Sequence, residues 1–404
     1  MKAVAALVLR AAAVLILLAA SLEAIRLAIA DSGFMAHTPE GLEKAVEWAP
    51  GNATYHRWLA VSLVGRDSGR AEKEFREAIR LNHWDAESRM RLAMIYESKG
   101  LLEQAEKELR DAAKVDATFL PRWTLANFEF RRGNLPEFWT WARASANMSF
   151  GDRFPLFDLA AATGETNVAE RLDLKGGQIW INYLYWAIQK GTPGEIRKAG
   201  MKVAAASTAA DGPGVELAAQ RLADLGSVDA ALEVWNDGVK SGIVPAGEAA
   251  KGRITNPTFA VQPRGYGFDW IAAKPEGGAI VRESIHGGVR IRFTGDQAEQ
   301  CDALTQRVAV EPGVSYRVVV KYRTAGLGRK SGMKWLILGA ASANPVVAET
   351  DSYLWDEGNG ESALSFTAPP RDGLVRVVLR YLRPQGEVRT AGEVSIFAVE
   401  MKRI

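Results

Sequence analysis

The residues able to do acid, base or metal chemistry are few and scattered. His37, His56, His83 and His286 show neither metal-ligand spacing nor an accompanying acidic motif. Asp351, Asp356, Glu357 and Glu361 gather in one Gly-rich stretch, where oxygen ligands of this kind hold a calcium ion or simply form a solvated loop. Glu349, Asp351 and Glu361 also keep open a hydrolase with paired carboxylates. Gly326-Leu-Gly328-Arg329-Lys330-Ser331 lacks the four-residue gap between glycines and the Gly-Lys step of a phosphate loop, and Gly265-Tyr-Gly267 lacks the third glycine of a dinucleotide site. The lone Cys301 reads as a small buried hydrophobe. These residues predict a binding protein rather than an enzyme, with no required cofactor and calcium as the one ion to consider.

Elements that could position a binding surface are plentiful. The chain has 404 residues, enough for two or three separate cores. Lys plus Arg number 50 against 48 Asp plus Glu, and no basic run gives the footprint of a nucleic-acid binder. One cysteine excludes a disulfide framework within the chain.

Residues 3–22 are apolar except for Arg10, and Lys2 and Arg10 precede the unbroken stretch Ala11 to Leu22. That is the charge order of an export signal or an anchor, with the N-terminus in the cytoplasm. Ala19-Ala20-Ser21 offers a cleavage site, but apolar character resumes at Ile25, Leu27 and Ile29. An uncleaved anchor over residues 1–30 is the favoured reading. It implies a protein held in the bacterial inner membrane, with its bulk in the periplasm or outside the cell.

Further along, Trp58, Leu59, Ala71, Phe75, Ala78 and Leu81 return 34 residues later as Leu92, Ala93, Ala105, Leu109, Ala112 and Val115. Gly100 falls at a turn, and Leu125, Gly133 and Ala142 continue the pattern one residue shorter. The pattern resembles the tetratricopeptide repeat, a stack of helix-turn-helix units. The resemblance implies repeats over 38–150. Leu222, Gly226, Ala231 and Trp235 suggest degenerate helical repeats over 151–250. It also implies a concave face presenting His56, Met90, Met94, Glu97, Trp123 and Asn127 to a protein partner. The same residues have an equal reading as packing between repeats.

From Ile254 onward the period becomes two. Tyr316, Val318, Val320 and Tyr322 alternate with Arg317, Val319, Lys321 and Arg323, and turn signals separate many such runs. An antiparallel two-sheet sandwich follows over 254–404. The series Asn256-Pro-Thr-Phe259, Gly267-Phe-Asp-Trp270, Gly288-Val-Arg-Ile-Arg-Phe293, Gln306 to Gly313, Tyr316, Trp355 and Phe366 resembles the galactose-binding-like jelly rolls used as carbohydrate-binding modules.

That resemblance implies exposed rings stacking on sugar faces, with polar groups on the hydroxyls. The candidates are Tyr266, Trp270, Trp335 and Tyr353, with Arg323, Arg380 and Asp351 beside them; each ring has a second reading as core. Trp355 and Phe366 are expected in the core. The fold class is therefore multidomain: a membrane helix, an all-α repeat array and an all-β jelly roll. The function that follows is a membrane-anchored envelope scaffold with a protein partner and a polysaccharide ligand. The alternatives are an assembly protein with no sugar affinity, or a polysaccharide hydrolase.

Overall fold

Polar caps and turn glycines set several of the helix boundaries in the computed structural model. It describes residues 2–148, 151–206, 208–272, 280–285, 287–340, 345–355 and 358–404. The chain forms two compact units, Met1–Asp173 and Leu174–Ile404.

In the first unit the helices are α1 (Lys2–Met35), α2 (Pro39–Trp48), α3 (Ala53–Leu63), α4 (Ser68–Leu81), α5 (Ala86–Ser98), α6 (Leu102–Val115), α7 (Phe119–Arg131), α8 (Leu135–Ala146), α9 (Phe154–Ala161) and α10 (Val168–Arg171). Asn52, Asp67 and Asp85 cap α3, α4 and α5 by accepting from the backbone N–H groups of Thr54, Arg70 and Ser88. Gly100 and Gly133 end α5 and α7 with φ of 73° and 72°, the left-handed conformation that stops a helix without a Cβ penalty. Ala71, Ala78, Ala105 and Ala112 are fully buried, so the small residues of the 34-residue repeat sit where α3 meets α4 and α5 meets α6. Trp58 departs from its repeat mate Leu92: it is 43% exposed and meets Phe34 edge-on at 6.4 Å, while Leu92 is buried.

Helix α1 is continuous through the apolar segment into the first repeat. Its residues 4–25 are exposed on every side, whereas Ala30 and Gly33 are buried. A Cβ on Gly33 would lie 2.6 Å from the Gly41 carbonyl oxygen, and one on Gly41 would lie 2.4 Å from that of Gly33, so only glycines allow this crossing. Phe34 packs at a tilt on Tyr55, ring centres 5.1 Å apart, and the Tyr55 hydroxyl donates to Asp31 at 3.4 Å. The 34 residues of α1 span about 51 Å.

The second unit joins α11 (Gly177–Lys190), α12 (Pro193–Ala206), α13 (Gly212–Asp224) and α14 (Val228–Lys240) to a sandwich. Its strands are β1 (Ile271–Ala272), β2 (Ile280–Ile285), β3 (Gly288–Thr294), β4 (Gln300–Ala309), β5 (Ser315–Ala325), β6 (Met333–Gly339), β7 (Val346–Glu349), β8 (Gly358–Thr367), β9 (Leu374–Leu382) and β10 (Ala391–Arg403). Among the described residues these pair into two five-stranded antiparallel sheets, ordered β1-β4-β9-β6-β7 and β2-β3-β10-β5-β8. The period of two in β5 turns Tyr316, Val318, Val320 and Tyr322 into the core and leaves Arg317, Lys321 and Arg323 exposed.

The motifs that open the sandwich form one knot. Asn256, at φ 48°, bonds both ways to Val261 through its side-chain amide, and its carbonyl accepts from Trp270 Nε1 at 3.1 Å. Asp269 accepts from the Arg264 backbone N–H at 2.8 Å, and the buried Gln306 side chain bonds both backbone groups of Thr255. Helix packing continues this knot: Phe268 meets Trp235 of α14 edge-on at 5.7 Å, and Arg307 of β4 grips Asp224 of α13 with two hydrogen bonds.

Candidate functional site

Between α5 and α7 lies a groove of about 390 Å³ lined by Glu87, Met90, Arg91, Met94, Asp116, Leu120 and Thr124. Spacing on α5 explains its floor, since residues three and four apart share a helix face. Met90 is buried at the bottom, while Met94 is 56% and Leu120 51% exposed on the walls. Methionine adapts its shape to an apolar anchor, and Glu87, Arg91 and Asp116 place charges of both signs along the groove.

Met90 and Met94 are thus brought together, and the other expected groove residues are not. His56 is buried and occupied, with Nδ1 2.6 Å from a Glu74 carboxylate oxygen and Nε2 2.9 Å from the Pro50 carbonyl. Glu97 is gripped by Arg131 through two hydrogen bonds of 2.8 Å that tie α5 to α7. Trp123 stacks on Phe119 at 6.0 Å, and the Asn127 amide donates to the Trp123 carbonyl of its own helix. Leu120 and Thr124 line the groove instead. Leu120 lies in the first turn of α7, three residues before Trp123 on the same side of the helix.

The expected sugar-binding residues are dispersed over the sandwich. Trp270 and Trp335 are fully buried and meet edge-on at 6.4 Å, so neither can stack on a ligand; they fill the space between the two sheets. Tyr266 is 38% exposed on the opening loop. Arg380 is clasped by Asp302 through contacts of 2.5 and 3.0 Å on one sheet, while Arg323 is exposed on the other. Tyr353 and Asp351 follow β7, and Lys334 Nζ lies 5.4 Å over the Tyr353 ring. Phe366 is in the core as expected, but Trp355 is 37% exposed, with the Arg329 guanidinium 4.6 Å over its ring. The buried Leu354 beside it takes the core position.

Among the described residues the reactive groups do not converge. Glu349 lies on β7 and pairs with Lys334 at 2.7 Å, whereas Glu361 lies on β8 of the other sheet. Asp356, Glu357 and His286 lie outside the described residues. Among the described residues no three His, Cys, Asp or Glu gather as a metal site. Burial and the neighbouring Asp302 push the Cys301 thiol up to about 11, so it is protonated at neutral pH.

No protein-family model and no curated protein matches the chain. Among solved structures, it is similar to YrrB, a TPR protein with an unusual peptide-binding site, at 13% identity over 50% of this chain and 93% of that one, with a TM-score of 0.25. It is also similar to PilF of Pseudomonas aeruginosa, at 14% identity over 55% and 89% with a TM-score of 0.29. A CBM4 structure is similar at 15% identity over 37% and 99%, also with a TM-score of 0.29. The helical half follows the tetratricopeptide plan. Its buried alanines and turn glycines recur at the repeat spacing, and the strand order of the sandwich is that of a jelly roll.

Proposed function

We propose that this chain is a membrane-anchored scaffold without catalytic activity that seats a partner protein in the α5/α7 groove and turns its sandwich toward a glycan outside the membrane. The observation that carries the reading is the Met90, Met94 and Leu120 groove, an open apolar slot flanked by Glu87, Asp116 and Arg91. An amphipathic helix fits it, with one bulky apolar residue between Met94 and Leu120 and charges on its shoulders.

Anchoring is supported by α1, whose exposed apolar turns from Val4 to Leu22 are about as long as a bilayer core is thick. Lys2 and Arg10 favour a cytoplasmic start and leave the remainder in the periplasm. A polysaccharide synthesis or export system is the setting such an arrangement suits. A photo-crosslinker at Met94 in native membranes tests the reading, with one at Glu103 on α6 as control. The Met94 probe should yield one discrete protein adduct, which purified components reproduce. Equal, diffuse labelling from both positions would overturn it.

A further inference from the structure

The outer face of the β2-β3-β10-β5-β8 sheet carries a cluster that the groove and the buried aromatics leave unused. Strand β10 changes register between Ile396, which pairs with Tyr322, and Ala398, which pairs with Lys321. Phe397 therefore has no cross-strand partner, and a bulge of this kind re-aims a side chain. Phe397, Lys321, Tyr322, Gly360 and Glu361 line a hollow of about 560 Å³, within the size range of small-ligand sites. Close backbone and ring contacts require glycine at two neighbouring positions. A Cβ on Gly288 would lie 2.3 Å from the Ile396 carbonyl oxygen, and a Cβ on Gly360 would lie 2.7 Å from the Tyr322 ring.

The charges around the hollow are uncommitted. Lys321 stands opposite Glu361 in register, and Arg323 is the next outward residue along β5. All three are exposed, and among the described residues none has an ion-pair or hydrogen-bond partner. On the other sheet, Arg380 and Lys334 are held by Asp302 and Glu349. A half-buried ring beside two free cations and one free carboxylate suits a ligand that is flat and apolar on one face, anionic at an edge, and rich in hydroxyls.

We infer that this hollow binds an acidic saccharide of the uronate class. Its carboxylate sits between Lys321 and Arg323, its hydroxyls donate to Glu361, and the apolar face of its ring lies on Phe397. The inference rests on the glycan-facing reading above and gives it a site and a ligand charge.

The test is a titration of the full chain in detergent micelles with an oligogalacturonate, a neutral malto-oligosaccharide of equal length, and inorganic polyphosphate. The oligogalacturonate should bind in preference to both. Lys321→Gln with Arg323→Gln should weaken it about tenfold or more, and Phe397→Ala roughly fivefold to thirtyfold. Trp355→Ala and Tyr353→Ala should leave it unchanged. If the neutral sugar binds better, or only the Trp355 and Tyr353 variants lose affinity, the inference fails while the glycan reading stands. Equal binding of polyphosphate, indifferent to Phe397→Ala, would reduce the site to plain charge and also overturn it. Absence of binding to either saccharide would sink both.

Discussion

Replacing Glu216 by Gln should stabilise the second unit at neutral and alkaline pH. Glu216 on α13 is 1% exposed; one carboxylate oxygen accepts from Arg264 Nη1 at 3.1 Å, and the other is buried with no hydrogen-bond partner. Burial outweighs the Arg264 charge and raises the carboxyl from 4.5 to about 7. Below pH 4.5 the group is protonated both folded and unfolded, so it does not affect stability. Between 4.5 and 7 the unfolded chain ionises while the folded one keeps its proton, and stability falls as pH rises. Above 7 the loss is complete, about 3 kcal/mol for a rise of this size at 1.36 kcal/mol per pKa unit. Glutamine mimics the protonated form, so Glu216→Gln should recover most of that difference at pH 8 and none at pH 4. Asp269, also raised by burial, titrates in the same sense and leaves a smaller slope in the variant. Urea denaturation followed by tryptophan fluorescence at several pH values measures this. A variant less stable than the parent at pH 8, or a parent whose stability rises between pH 5 and 8, would refute the reasoning.

Other outcomes follow from burial. Ala78→Leu or Ala112→Leu should overpack the repeat contacts and cost about 1–3 kcal/mol, with Glu77→Leu nearly neutral; equal melting temperatures for all three would contradict the register. Trp335→Ala should cost about 3–5 kcal/mol by leaving a cavity between the sheets, and unchanged thermal unfolding would place that ring at the surface. The full-length protein should resist carbonate extraction and retain its first residues by intact mass, whereas a soluble form starting near Leu22 would remove the anchor.

The repeat and the strands were legible in the sequence because each follows from a spacing that fixes a face. Alanines 34 apart must pack, and alternation in β5 must point its valines one way. Groove membership was harder, because Leu120 and Trp123 stand three residues apart on α7, and a repeat period does not say which of the two lines the slot. His56 could not be read as occupied, since Glu74 and Pro50 reach it from other elements. Two sandwich aromatics come out reversed: Trp355 is expected in the core and Trp335 is a candidate surface ring, whereas Trp335 on β6 is fully buried and Trp355, beyond β7, is 37% exposed, a difference that only the strand arrangement reveals. Phe397 did leave a trace in the pattern. The inward residues run Val394, Ile396, Val399, Met401, and the skipped step marks the bulge.

Partner binding in the groove between α5 and α7 is tested most directly by affinity. Once the Met94 adduct is identified, its purified protein should be titrated against the full chain and against Met94→Glu with Leu120→Glu, with circular dichroism of each. Unchanged helicity and at least about a tenfold loss of affinity are expected, because two charges would replace the apolar walls. Affinity equal to that of the parent would contradict binding there and return Met90 and Met94 to packing alone.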